Sequence, residues 1–256
     1  MKSNRLRISI LFAILGALIG QVPSPANAGG NTKNQSFSKA KRLLLNVVYA
    51  GHHKTFYCSC SFDDRKQIDL PTCGYKPKTR SKRGERVEWD HIVPAEAFGQ
   101  AFKEWRDGHT DCVDNRQKNF RGRKCAEKSN LTFRYMQADM FNLYPAEGEI
   151  NGLRENFSMA MIPGDQRDFG ACRVKISERK FEPPPDIRGD IARTYQYMDK
   201  AYPGCGIISS KNQKLFEAWS KEDPVDAWEC ARARKIKELQ GNANEVVEQA
   251  CAAAKL

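Results

Sequence analysis

Residues 88–156 hold the side chains whose types and spacing could do chemistry. The run Glu88-Trp89-Asp90-His91-Ile92-Val93-Pro94-Ala95 sets a histidine directly after a carboxylate, at the end of a strand-like stretch. Neighbouring strand residues point to opposite faces unless the strand ends or bends there. At such a terminus Asp90 can hold a cation while His91 faces a nucleophilic water. A neutral imidazole with its ordinary pKa of about 6.5 takes a proton from water at physiological pH. Downstream come Asn142-Leu143-Tyr144-Pro145 and then Asn151. The Asp90 carboxylate and the Asn151 amide are oxygen ligands of the kind Mg²⁺ prefers, with the rest of its shell given to water and phosphate. A metal held there would neutralise charge on a phosphorane and stabilise a leaving 3′-oxygen. The Asn142 side chain can bond backbone groups of the opposing strand and so fix the aim of His91. Of the other histidines, His52 and His53 close a helix, where a surface or helix-dipole role suffices. His109 lies in a polar loop and is the next candidate base.

A histidine on a first strand, an asparagine tying the loop and a ligand on the following helix form the ββα-metal, or His-Me finger, pattern. The elements that must position these groups are legible in part. A helical stripe runs from Phe37 to Tyr49. Thr55 to Leu70 reads as short strands, and Arg86 to Val93 as a strand. Residues 105–130 read as a long polar loop, with helices over Leu131–Met140 and Glu147–Met161. After the Pro183–Pro185 break, Ile187–Tyr202, Lys211–Lys221 and Asp226–Leu239 read as amphipathic helices. No repeat or linker divides the chain, so the expectation is one α+β domain over 29–256.

Export is the expectation for the N-terminus. Lys2, Arg5 and Arg7 precede the apolar run Ile8–Gly20, and Ala26-Asn27-Ala28 supplies the A-x-A cleavage pattern of a secretory signal peptide. The run is too short for a membrane span of about 20 residues. Residues 1–28 are therefore read as removed, leaving a soluble periplasmic or secreted protein, expected to be a monomer. In an oxidising compartment the nine cysteines are read as a disulfide framework with an odd thiol left over. Cys112 and Cys125 could close a local loop. The 256-residue chain has 42 Lys and Arg against 31 Asp and Glu, a net +11. Composition excludes a long disordered tail protein, a collagen and a polytopic membrane protein, and the basic balance points to an anionic partner.

The motifs go further. The chain resembles the bacterial endonuclease I family, the secreted or periplasmic non-specific nucleases, over about residues 38–251. The resemblance rests on Thr55-Phe56-Tyr57-Cys58-Ser59-Cys60, Asp69-Leu70-Pro71-Thr72-Cys73-Gly74-Tyr75, Arg86 through Ala95, and Gly122-Arg123-Lys124-Cys125. It continues in Asn142 through Gly152, Arg188-Gly189-Asp190-Ile191-Ala192-Arg193-Thr194-Tyr195, and Val225 with Trp228-Glu229-Cys230. It implies a disulfide-stapled mixed α/β fold with a ββα-metal core, and metal-dependent hydrolysis of DNA, and often RNA, to 5′-phosphate ends. It implies His91 as general base, Asp90 and Asn151 as ligands of one Mg²⁺ (Mn²⁺ as substitute), and Arg123 as the transition-state arginine. A guanidinium there can grip a phosphate with two hydrogen bonds. Three features depart from the family pattern. Asp90 stands where Glu is usual, and the loop between Trp105 and Cys125 is long, which makes Arg121 the alternative to Arg123. Cys205 is additional to the usual eight cysteines, which makes it the candidate free thiol.

Basic residues fit a polynucleotide. Lys76–Arg86, with Lys82 and Arg83, precedes the active-site strand, and Arg188 and Arg193 lie on a helix, diverging by about 140°. Phosphate contacts of this kind carry no sequence information. The competing reading is a secreted protein that binds nucleic acid without cutting it, for instance in DNA uptake. A disulfide-rich adhesin or inhibitor is a third. Neither needs the set Asp90, His91, Asn142 and Asn151.

Overall fold

The structure, a computed structural model, describes residues 29–79 and 81–256; the expected signal segment 1–28 lies outside the described residues. Helix α1 (Phe37–Leu43) starts where the Ser36 side chain accepts from Lys39 N, and it runs on into a π-turn over Leu44–Val48. Strands β1 (Ser61–Phe62) and β2 (Ile68–Asp69) pair with each other, and β3 (Val87–His91) follows. Short helices α2 (Ala95–Gly99), α3 (Lys103–Arg106), α4 (Arg123–Ser129) and α5 (Leu131–Gln137) fill the connection to β4 (Leu143–Glu147). Helix α6 (Gly148–Arg154) begins as β4 ends. A second sheet of β5 (Ser158–Met159), β6 (Lys175–Ser177) and β7 (Lys180–Glu182) has the order β5-β7-β6. The chain closes with α7 (Arg188–Ala201), α8 (Ser210–Glu222), α9 (Ala227–Gln240) and α10 (Glu245–Ala254). One mixed core joins helices and strands, as an α+β chain requires. No helix among the described residues is long and apolar enough to cross a membrane.

The pairing of β3 with β4 positions the site. It is antiparallel, from Val87 opposite Glu147 to His91 opposite Leu143. Pro145 sits inside β4, where a proline normally costs a ladder bond. Its carbonyl accepts from Phe56 N, on the side away from β3, so the missing N–H falls outside the ladder. Helix α6 then folds back over β3, because Gly148 and Gly152 leave room for Arg83. A Cβ at Gly148 would come within 2.6 Å of the Arg83 carbonyl, and one at Gly152 within 2.4 Å of its guanidinium.

Several expectations are corrected. Helix α6 stops at Arg154 rather than running to Met161: Glu155 takes a left-handed backbone, φ 48°, and the chain then enters β5. Residues 105–130 are not all loop. Helix α4 lies within them, but it buries only Cys125 and Ala126, too little to show a helical period. Helix α10 and the second sheet had no sequence expectation. The four disulfides are Cys58–Cys172, Cys60–Cys73, Cys112–Cys125 and Cys230–Cys251, and Cys205 is a buried free thiol. Ser59, at φ 56°, lets the neighbouring cysteines reach separate partners.

Buried polar ties lock the C-terminal helices on. Arg232 of α9 donates to the Tyr49 and Tyr144 hydroxyls and to the carbonyls of Met140 and Leu143. Asp139 accepts from Tyr197, Tyr202 and Gln240. Glu147 is less well provided for. Thr55 donates to its Oε1, but its buried Oε2 has no hydrogen-bond partner among the described residues, and burial pushes its pKa up to about 7 from an ordinary 4.5. The folded state thus favours the acid form. Its stabilisation is complete below about pH 4.5 and is lost as pH rises through 7. The expected consequence is that Glu147→Gln gains on the wild type between pH 5 and 8, by up to about 3 kcal/mol. Urea unfolding across that range measures it, and parallel stability curves would contradict it.

Candidate active site

Strand β3 presents alternate residues to opposite sides. Glu88 and Asp90 face α6, on which Asn151 and Arg154, three residues apart, share one side. The two pairs meet in register. Asn151 Nδ2 donates to Glu88 Oε2 at 2.9 Å. Arg154 Nη1 donates to both Asp90 oxygens, at 2.9 and 2.7 Å, and to the His91 carbonyl, while Nη2 reaches the Ile92 carbonyl. Arg154 is fully buried, and Tyr57 donates a further hydrogen bond to Asp90. Burial raises the Asp90 pKa, and the Arg154 guanidinium and Tyr57 hydroxyl oppose that rise. Three hydrogen bonds from two groups, Arg154 and Tyr57, offset part of the cost of burying the charge. The Arg154 pKa rises beside it.

His91 lies at the other face of the strand end. Its Nε2 is 2.9 Å from the Gln137 carbonyl. A carbonyl only accepts, so Nε2 carries the proton and Nδ1 is left with the lone pair. Nδ1 has no hydrogen-bond partner among the described residues. Burial, and then the positive charge of Arg123, push the imidazole pKa down to about 3. His91 is therefore neutral at physiological pH, and more firmly so than its ordinary pKa would make it. Phe37 packs against it at 4.9 Å between ring centroids.

Asn142 is buried and does not open onto the cleft. Its Oδ1 accepts from Val93 N at 2.7 Å and its Nδ2 donates to Val93 O at 3.0 Å, clamping the backbone just past His91. Arg123 is the first residue of α4. Its Nε donates to Gln137 Oε1 at 3.4 Å, and its guanidinium lies over the Phe37 ring at 5.3 Å. Asp90, His91, Arg123 and Asn151 line one cavity of about 350 Å³. Arg121 and His109, the alternatives, line a different cavity, beyond α3.

The expected nucleic-acid contacts divide. Lys82 is exposed, with no ion pair among the described residues. Arg83 turns back onto Glu88, at 3.0 and 2.8 Å. Arg188 and Arg193 are both engaged by acids: Arg188, partly buried, pairs with Glu182 at 2.9 Å, and Arg193, buried, pairs with Glu229 at 2.6 Å. A buried guanidinium needs such a partner, and Arg193 is held inside by it rather than presented at the surface.

No group of three or more His, Cys, Asp or Glu among the described residues could hold a metal. Asp90 and Asn151, both with side-chain oxygens, line the His91 cavity. The Asn151 amide oxygen accepts no hydrogen bond among the described residues, and Asp90 stands beside it on the cavity wall. An ion that keeps most of its waters fits a site with so few protein ligands.

The Endonuclease I family profile matches residues 29–251. The chain belongs to the endonuclease I family. It is 40% identical over 237 residues to an extracellular deoxyribonuclease of Aeromonas hydrophila, covering 90% of this chain and 94% of that one. It is 39% identical over 224 residues to a periplasmic deoxyribonuclease of the same organism, covering 85% and 87%. Endonuclease-1 of Buchnera aphidicola subsp. Acyrthosiphon pisum (strain APS) is 36% identical over 222 residues, covering 85% and 82%.

Four residues at this endonuclease I site escaped the sequence reading. Glu88 and Arg154 had a usable signal, the two-residue strand period from Asp90 and the three-residue helix step from Asn151. The Gln137 carbonyl is backbone and leaves no trace in sequence. Phe37 read only as part of a core helix. Removing one member of a buried pair strands the other, at a cost of about 3–5 kcal/mol. Arg154→Met is expected to lose that much stability in urea unfolding, and Asp90→Asn with Arg154→Met to lose less. Equal losses would show that the charge pairing is not what matters.

Proposed function

We propose that the chain is a secreted, metal-dependent endonuclease without sequence preference. It cuts phosphodiester bonds of DNA, and of RNA, to leave 5′-phosphate ends. The carrying observation is that Asp90, His91, Arg123 and Asn151 line a single cavity around an imidazole of fixed tautomer. A protein that only binds nucleic acid has no use for that arrangement. The Aeromonas relatives are extracellular and periplasmic deoxyribonucleases, which supports DNA as substrate and export of the chain; the A-x-A pattern at Ala26–Ala28 supports cleavage near Ala28. The chain acts as a monomer.

In this reading β3, β4 and α6 are the ββα-metal core. His91 Nδ1 accepts the proton of the attacking water, and the hydrogen bond from Nε2 to Gln137 keeps the ring aimed. Asn142 is a positioning residue that holds the turn after His91. Arg123 grips a non-bridging phosphate oxygen and meets the charge that grows there in the transition state. Asp90 and Asn151 would hold one Mg²⁺, or Mn²⁺, which when bound would supply Lewis-acid stabilisation of the phosphorane and of the leaving 3′-oxygen. Exposed cations such as Lys82 contact backbone phosphates.

Plasmid nicking tests this reading. Mg²⁺ or Mn²⁺ is expected to support cleavage and EDTA to stop it, with products open to direct 5′-labelling only after phosphatase treatment. Cleavage that survives exhaustive chelation would overturn the metal-dependent mechanism.

A further inference from the structure

A second cavity, of about 530 Å³, opens between α1, the π-turn and β3. Phe37, Trp89 and Asn151 line both it and the His91 cavity, so the two adjoin. Its charge is lopsided. Lys41, Arg42, Lys66 and Arg86 line it against a single acid, Glu88. Glu88 is already engaged by Arg83, Arg86 and Asn151. Lys41, Arg42 and Lys66 have no carboxylate partner among the described residues. Three unpaired cations around a concave space make a site for an anion.

Helical spacing puts Phe37 and Lys41, four apart, on one side of α1 with Arg42 next to them, while Ala40 and Leu44 face the core. The Phe37 ring carries a cation for each cavity: the Lys41 ammonium at 4.4 Å, on the second cavity, and the Arg123 guanidinium at 5.3 Å, on the first. The Lys66 backbone is pinned in a left-handed conformation, φ 66°, bonded on both sides to Asp63 and Val87.

We propose that this second cavity is a subsite for a backbone phosphate flanking the scissile one, held by Lys41, Arg42 and Lys66. The inference rests on the nuclease reading above. A strand whose scissile phosphate lies against Arg123 runs past Phe37 and Trp89 and presents its neighbouring phosphate to these cations. The subsite makes the enzyme favour polymers over isolated diesters, and it reads charge without reading bases.

The test compares two pairs of substitutions on two substrates. Arg42→Ala with Lys66→Ala removes two exposed cations from the subsite. Lys211→Ala with Lys214→Ala removes two exposed cations from α8, as a control for net charge. The substrates are duplex DNA and bis(p-nitrophenyl) phosphate, which has no flanking phosphate. For the subsite pair, KM for DNA is expected to rise about tenfold and the log–log salt slope to shrink by about 1 per charge removed. Its KM for the small diester and the DNA kinetics of the control pair are expected to follow the wild type. An equal effect of the control pair, or an equal rise in KM on both substrates, would overturn the subsite. A wild type that cleaves neither substrate would overturn the nuclease reading itself, and the subsite with it.

Discussion

A guanidinium cannot be buried without strong partners, and the carboxylate that Arg154 pairs with among the described residues is Asp90. That need sets the geometry of the site. Arg154 bonds both Asp90 oxygens and then the carbonyls of His91 and Ile92, so one side chain fixes a carboxylate and the backbone of the next two residues. It can do so only if α6 lies across β3 in one register. That register carries Asn151, one helical turn earlier, to Glu88 and to the cavity wall. A shift of β3 by one residue would send Asp90 to the opposite face and leave Arg154 unpaired.

The rest of the fold keeps this arrangement closed from behind. Asn142 clamps Val93, so the chain cannot unwind just past His91. The Cys58–Cys172 bridge ties the loop that carries Tyr57, which also donates to Asp90, to the segment just before β6. Arg232 holds β4 to α9 through Tyr144 and two carbonyls. Charge in the cleft is arranged with equal economy. Arg123, Arg154 and Lys41 all act against protonation of His91, so the imidazole waits in its neutral, proton-accepting form. In the proposed reaction, a phosphate beside Arg123 would bring negative charge and ease proton uptake by His91.

The sequence disclosed these features unevenly, for physical reasons. Asp90, His91, Arg123 and Asn151 stood in motifs whose residue types have few other uses together, and the structure gathers them in one cavity. The long C-terminal helices were legible because each buries a stripe. Strand β4 was not, because Pro145 argues against a strand and only the carbonyl bond to Phe56 explains why it is tolerated. Helix α4 was hidden because a disulfide, rather than an apolar stripe, anchors it. Arg188 and Arg193 read as phosphate contacts because sequence reports charge but not burial. Glu229 lies 36 residues from Arg193, and Glu182, six residues from Arg188, is separated from it by the proline break, so no helical spacing pairs either.

The central claim is that the neutral His91 imidazole, held by Gln137 and free at Nδ1, takes the proton from the attacking water. Single-turnover cleavage by His91→Ala, measured beside its DNA affinity, tests it most directly. The account predicts a folded variant that binds DNA as the wild type does and cleaves it about 10²–10⁴-fold more slowly. A folded His91→Ala protein that cuts at close to the wild-type rate would contradict it.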